Sequence, residues 1–203
     1  MDPKLFLLFP TPILKFRLDK HKEHKETYVP KVLELFNSRT GNPSRYFSKQ
    51  ENSYLIMEED SGLTIQDKQL DSMCHEYINF LGKTAGNIVR KSWFGVHTPL
   101  MHIQSHGHFG CLISGVYYMQ FNPEVDYPTT FTSPNYKDVE GWNLEPHNEH
   151  CIADTFPNHM NIEEGDVVLF PSWLLHYAPS SQLHATEERV SFVFNYLDES
   201  SIR

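Results

Sequence analysis

The sequence predicts a mostly β protein of the α+β class, in which helices pack against one sheet of a sandwich or barrel. Two observations carry this prediction. Apolar residues recur at the helical period in two early segments, 24–38 and 65–83. After residue 90 the pattern changes to short β-type runs separated by turn signals. These runs cover residues 90–98, 100–108, 111–121, 129–134, 166–172 and 189–197.

The organisation of the chain predicts a single domain, residues 1–203. Its 203 residues suffice to bury one core. Residues 1–90 would supply an opening strand and the two supporting helices, and residues 91–203 the β core. Pro10 and Pro12 favour an edge position for the opening strand, because proline cannot donate to a central ladder.

Residues 134–161 form the longest irregular stretch of the chain. Loops of this length inside a domain are often functional, so we predict a lid over a ligand site. Tyr136 and Trp142 lie in this stretch and are candidates to cover a substrate. The alternative is that both are ordinary surface aromatics.

Charge and composition restrict the partners. The formal net charge of −9 disfavours nucleic acid and anionic membranes. Three unpatterned cysteines indicate a reducing compartment without a disulfide framework. We expect no signal peptide, and no apolar run approaches the roughly 20 residues that span a bilayer. These features predict a cytoplasmic protein, and they leave its oligomeric state open.

His106 and His108 are the first candidate metal ligands. Residues two apart on a strand point to the same face, so their imidazoles can chelate one ion. The alternative for this pair alone is two idle, exposed histidines at a strand end. The other histidines considered were expected to be exposed or locally bonded. They are His21, His24, His75, His147, His150, His159 and His184.

His176 and Arg189 extend the pattern. His176 stands among apolar neighbours, where an imidazole needs a partner such as a metal. Arg189 shares a strand face with Ser191, and a buried arginine is favourable only if a carboxylate meets its planar fork. Together these residues outline a non-haem iron site that binds a carboxylate-bearing cosubstrate, with open positions for that cosubstrate and oxygen.

The sequence resembles the 2-oxoglutarate/iron(II) oxygenases of marine bacteria and cyanophages, which are relatives of prolyl 4-hydroxylases. The likeness rests on five segments in order. They are LFPTPIL (8–14), SWFGV (92–96), HGHFGCLISGVYYM (106–119), GDVVLFPSWLLHYAP (165–179) and RVSFVFN (189–195).

The resemblance implies a double-stranded β-helix, or jelly roll, of the cupin-like type, with Fe(II) near its mouth. It implies that His106 and His176 bind iron and that Arg189, with Ser191 beside it, binds the distal carboxylate of 2-oxoglutarate. Tyr118 and Ser114 match a tyrosine and a hydroxyl residue that prolyl hydroxylases use for the same cosubstrate.

One departure from the wider superfamily concerns His108, which stands where an aspartate or glutamate is usual. Three alternatives remain: His108 is itself a ligand, a carboxylate arrives from Glu145, Glu149 or Asp154, or His108 lines the site without binding.

The function expected from the resemblance is hydroxylation of an unknown substrate by Fe(II), 2-oxoglutarate and O2. A prolyl or other amino-acyl side chain is the first expectation for the substrate, and a small metabolite the second. Two rival interpretations are a three-histidine cupin-like dioxygenase without 2-oxoglutarate, and an inactive binding or structural module.

Overall fold

The computed structural model describes residues 11–38, 54–57, 61–82, 87–132, 134 and 160–199. Its two helices are α1 (His21–Ser38) and α2 (Lys68–Phe80). Its strands are β1 (Leu14–Arg17), β2 (Tyr54–Met57), β3 (Ile88–His97), β4 (Ile103–His106), β5 (Ile113–Gln120), β6 (Thr130–Phe131), β7 (Asp166–Pro171), β8 (His176–Ala178) and β9 (Arg189–Asp198).

The strands form two antiparallel sheets. The larger sheet has the order β1-β7-β5-β9-β3-β2, and the smaller has the order β4-β8-β6. β1 lies at the edge of the larger sheet, which confirms the position that the prolines predicted. The long strands β3 and β9 pair over their full length, from Ile88↔Asp198 to His97↔Arg189.

The two faces of the larger sheet serve different purposes, because side chains alternate along each strand. One face packs against both helices and forms the main core. Phe94, Phe192 and Phe194 lie on this face and are fully buried. The helices contribute Val29, Val32, Phe36, Leu70, Cys74, Tyr77 and Ile78.

Both helices fall close to the predicted segments. The second was predicted from residue 65 but begins at Lys68, because Asp67 caps it. The Asp67 Oδ1 accepts hydrogen bonds from the backbone N–H groups of Gln69 and Leu70, at 2.8 and 3.2 Å. Neither of the described helices is long and apolar enough to cross a membrane.

Two short strands were not predicted. β2 has four residues and pairs with β3. β8 has only three residues and begins at His176, between β4 and β6. Neither segment shows a readable strand period of its own, and both form strands by pairing with neighbours.

The expectation that His21 and His24 are solvated was wrong for His24 and incomplete for His21. His24 is buried, and its Nε2 lies 3.3 Å from the carboxylate of Asp67. The His21 Nδ1 lies 2.9 Å from the hydroxyl of Tyr117 in β5. Both histidines therefore join α1 to elements that are remote in the sequence. His75 and His184 are exposed, as predicted.

Candidate metal centre

The three predicted histidines come together at one end of the smaller sheet. His106 ends β4, and His176 begins β8 directly opposite it in the register. His108 follows β4, and its backbone N–H donates to the Ser172 carbonyl at 2.8 Å. The centroids of the three rings lie 4.5 to 5.2 Å apart.

Hydrogen bonds fix the tautomer of two of these rings. The Nδ1 of His106 lies 2.8 Å from the Gln104 carbonyl, and the Nδ1 of His176 lies 2.8 Å from the Leu174 carbonyl. Because a carbonyl oxygen only accepts, each Nδ1 must carry the proton. In the neutral rings Nε2 then keeps its lone pair, as a histidine ligand of a metal requires.

The environment keeps the rings of His108 and His176 neutral. Burial, followed by the nearby His106, lowers the pKa of His108 to about 4. Burial lowers the pKa of His176 to about 4 as well, and His106 and His108 add to this effect. Phe170 packs edge-on against His176 with centroids 4.7 Å apart and contributes to its burial. Both rings are therefore available to a cation at neutral pH.

The donor set fits a divalent transition metal. One ligand atom from each of the three histidines lies within 4.8 Å of the others. Imidazole nitrogens suit iron, and three protein ligands leave positions open for further ligands. Within the described ranges this group contains no carboxylate. Glu145, Glu149 and Asp154, the alternative donors, lie outside the described residues.

A cavity of about 410 Å³ opens beside the three histidines. It lies between the two sheets, on the face of the larger sheet away from the helices. Its walls are mostly apolar, with a few polar groups that converge on one region, as in small-molecule sites. It is lined by Leu55, Trp93, Gly95, His97, Ile103, His106, His108, Val116, Tyr118, Thr129, His176, Tyr177, Ala178, Arg189, Ser191 and Val193.

Arg189 is the only cationic group of this lining. It is 3% exposed, and its guanidinium donates to the carbonyls of Tyr127 and Pro179. Burial lowers its pKa and the neighbouring Asp126 raises it, but a guanidinium stays protonated at neutral pH. Within the described part of the chain, Arg189 forms no ion pair. A buried, unpaired guanidinium is strongly stabilised by an anion, and a carboxylate fits its fork.

Tyr118 and Ser191 lie on the same wall. The Tyr118 hydroxyl oxygen accepts a hydrogen bond from the Thr129 backbone N–H at 3.0 Å, and it also interacts with the Thr129 side chain. Burial raises the pKa of Tyr118, which keeps its hydroxyl proton in place. Ser191 is buried beside Arg189, two residues along β9. The structure thus brings Arg189, Ser191 and Tyr118 to one cavity, and their binding of a cosubstrate stays a prediction.

Ser114 is placed differently, since it does not line the cavity. Its hydroxyl donates to the Asn195 Oδ1 at 2.6 Å and lies 2.8 Å from the Ser172 hydroxyl. Ser172 is also the residue whose carbonyl holds the backbone of His108. Ser114 therefore supports the segment next to the histidines, and its direct contact with a cosubstrate stays a prediction.

The lid candidates Tyr136 and Trp142 lie outside the described residues. Conversely, His97 lines the cavity next to Arg189 but was not predicted from the sequence. The alternation in SWFGVHT puts Trp93, Gly95 and His97 on one strand face and could have indicated it. Without the register between β3 and β9, nothing linked His97 to Arg189.

The fold and the site together define a class of protein, the non-haem iron oxygenases built on a double-stranded β-helix. Residues 91–195 match the family model described as "Putative 2OG-Fe(II) oxygenase". The match covers more than half of the chain, which belongs to this family of Fe(II)- and 2-oxoglutarate-dependent oxygenases. No curated protein sequence matches the chain.

Similar solved structures confirm the predicted fold class. A prolyl-4-hydroxylase from Pseudomonas putida is 12% identical with a TM-score of 0.57, over 93% of this chain and 94% of that one. AviO1 from Streptomyces viridochromogenes is 10% identical with a TM-score of 0.61, over 94% and 91%. HygX from Streptomyces hygroscopicus, solved with nickel and 2-oxoglutarate bound, is 13% identical with a TM-score of 0.58, over 93% and 83%.

Proposed function

We propose that this oxygenase hydroxylates an amino-acyl side chain of a peptide or protein, and that it converts 2-oxoglutarate and O2 to succinate and CO2 in the same reaction. One observation carries the proposal. Three histidines that fit one cation, and a buried arginine that fits one carboxylate, open into the same cavity.

In this proposal His106, His108 and His176 hold the metal. Fe(II), when bound there, supplies the activation of oxygen and the oxidative decarboxylation of the keto acid. The hydrogen bonds of His106 and His176 to main-chain carbonyls hold their rings in the orientation and tautomer that leave Nε2 available.

Arg189 binds the distal carboxylate of 2-oxoglutarate, with Ser191 beside it and Tyr118 donating its hydroxyl proton. Val116, Val193 and the other apolar lining residues exclude water around the bound keto acid. Electrostatic attraction between the guanidinium and the carboxylate is stronger in such surroundings than in water.

The rim of the site supports a substrate with apolar surface. A Cβ atom added to Gly107, between His106 and His108, would lie 3.5 Å from the Leu175 side chain and 3.6 Å from that of Phe109. Phe109 is 80% exposed and Leu175 43% exposed. Exposed apolar side chains this close to a reactive centre are typical of a binding surface. The prolyl-4-hydroxylase name of one structural neighbour favours the same substrate class. A cytoplasmic location stays a prediction.

The first experiment is anaerobic addition of Fe(II) and 2-oxoglutarate, monitored by visible absorption. Chelation of the metal by the keto acid produces a weak charge-transfer band that neither partner shows alone. We expect the band in the wild-type protein and in the control His184→Ala, which changes an exposed histidine. We expect its loss in His176→Ala.

Arg189→Ala tests whether 2-oxoglutarate binding and iron binding depend on different residues of the site. It should weaken 2-oxoglutarate binding at least about tenfold, because it removes a charge-assisted hydrogen bond, and leave Fe(II) binding unchanged. Unchanged 2-oxoglutarate affinity would refute the place given to Arg189. Iron binding without the band in the wild-type protein would favour the three-histidine dioxygenase, and binding of neither would favour an inactive module.

A further inference from the structure

His97 is a buried histidine with an unfulfilled hydrogen-bonding requirement. It is 5% exposed, and its Nδ1 has no hydrogen-bond partner among the residues that the structure describes. Buried polar atoms are nearly always paired, and an exception indicates strain or a missing ligand. His97 also lines the cavity, so a ligand there has access to its ring.

His97 lies next to Arg189 in the larger sheet. His97 ends β3 and Arg189 begins β9, and the two residues are paired in the register. Both side chains point into the cavity. The ring extends over Gly95, where an added Cβ atom would lie 3.2 Å from the His97 Nε2. The glycine thus leaves room for an imidazole beside the guanidinium.

The charge at this end of the cavity suits a single carboxylate. Burial, followed by the positive charge of Arg189, holds the pKa of His97 well below its usual range. The ring is therefore neutral at pH 7 and offers one N–H donor without adding a second cation. A carboxylate has about four acceptor sites, enough to take bonds from Arg189, Tyr118 and one more donor.

We propose that His97 donates an imidazole N–H to the distal carboxylate of 2-oxoglutarate and thereby determines the selectivity for this dicarboxylic cosubstrate. This inference rests on the proposed function, in which Arg189 binds the same carboxylate. His97 completes the set of donors around it, because its ring lines the same cavity.

The test compares His97→Leu and His97→Gln with the wild-type protein. The probes are 2-oxoglutarate and 2-oxopentanoate, a keto acid of the same length without the distal carboxylate. Dissociation constants come from anaerobic titration of the charge-transfer band with Fe(II) bound. We expect 2-oxoglutarate to bind about tenfold more weakly to His97→Leu, because a hydrogen bond to a charged group is lost. His97→Gln should recover part of this loss, since its amide can also donate.

Binding of 2-oxopentanoate should be the same in all three proteins, and this separates a role in recognition from a merely structural one. The control His102→Leu, at an exposed histidine of the same region, should bind both keto acids like the wild type. Should His97→Leu fail to fold, His97→Phe takes its place.

Two outcomes would overturn the inference: unchanged 2-oxoglutarate affinity in the leucine variant, or equal weakening for both keto acids. Neither would touch the proposed function, because the wild-type band would still be present. If the wild-type protein shows no band with 2-oxoglutarate, it is the proposed function that fails, and the inference falls with it.

Discussion

At the scale of single residues, the metal site differs from the usual facial triad in its charge. Two histidines and one carboxylate offset part of a 2+ charge, whereas His106, His108 and His176 offset none of it. His108 is the residue responsible. The structure supports it as a ligand, because its ring lies 5.0 Å and 5.2 Å from the other two ring centroids.

His108→Asp is therefore expected to keep or increase the affinity for Fe(II), since it adds a negative charge at a ligand position. His108→Ala should weaken iron binding at least about tenfold, because it removes a ligand. Mutation of a residue that only orients a metal ligand already weakens metal binding by this much. The measurement is anaerobic competition for Fe(II) with a chelator of known affinity. His102→Asp, which adds the same charge at an exposed position, is the matched control. Complete loss of metal in His108→Asp, or full retention in His108→Ala, would contradict the assignment.

Whether the role of a residue could be predicted from the sequence depended on how far along the chain its contacts lie. The spacing of His106 and His108 and the apolar setting of His176 were readable, because strand alternation and burial are local properties. The burial of His24 could not be predicted, because its contact is Asp67 in another part of the chain. His97 was missed for the same reason, because its position beside Arg189 depends on the register between two strands, which the sequence alone does not reveal.

At the scale of elements, α1 is joined to the rest of the protein by partly buried polar contacts. His21 bonds to Tyr117, and Lys25 lies 2.7 Å from the carboxylate of Glu164. His24 packs between these contacts and Asp67, with its Nδ1 unpaired among the described residues. Burial is the largest influence on His24 and lowers its pKa, although Asp67 opposes this.

The lowered pKa of His24 predicts that the stability of the fold depends on pH. In the unfolded chain His24 binds a proton near pH 6.5, but in the folded protein it does so only at lower pH. The unfolded state therefore gains protons first as the pH falls, and the contribution of His24 is lost below about pH 6.5. We expect the free energy of unfolding to fall less between pH 7 and pH 5 in His24→Gln than in the wild type. Urea unfolding across this range measures it, with exposed His75→Gln as control. Identical pH profiles would show that His24 does not contribute.

The centre of the larger sheet depends on a glycine. Gly115 lies in β5, and an added Cβ atom would be 2.2 Å from a ring carbon of Phe194 and 2.8 Å from the Leu169 side chain. Both neighbours are fully buried and cannot move away. Gly115→Ala should therefore destabilise the fold by about 1–3 kcal/mol or more, as other overpacked cores do. Thermal unfolding measures it. Gly107→Ala, with its nearest contact at 3.3 Å, is the milder comparison, and equal stability of Gly115→Ala and the wild type would contradict the packing.

The longest elements were predicted from their own sequence patterns. The ten-residue strands β3 and β9 and both helices carry several periods of their pattern, so they fall near the predicted ranges. β2 and β8 have four and three residues and were not found. Even β8, which presents His176, forms through pairing with β4 and β6 rather than through a preference of its own.

At the scale of the whole molecule, the described elements of the first 90 residues are built into the larger sheet and its core. β1 and β2 form the two edges of the larger sheet. α1 and α2 cover the face that carries Phe94, Phe192 and Phe194. We propose on these grounds that the chain is one cooperative domain, with the metal-binding half unable to fold without the helices.

The corresponding test is a fragment of residues 91–203. Burial of one large apolar side chain contributes about 1.5–3 kcal/mol, whereas a whole domain is stable by only about 5–15 kcal/mol. Removing the helices exposes the three phenylalanines and also eliminates the partners from α1 and α2, so the loss is comparable with the total stability. We expect the fragment to show no cooperative urea transition and no charge-transfer band with Fe(II) and 2-oxoglutarate. The full chain should unfold in one transition that coincides in far-ultraviolet circular dichroism and tryptophan fluorescence. A fragment that binds both ligands, or two separate transitions in the full chain, would show instead that the β core is an independent unit to which the helices are merely attached.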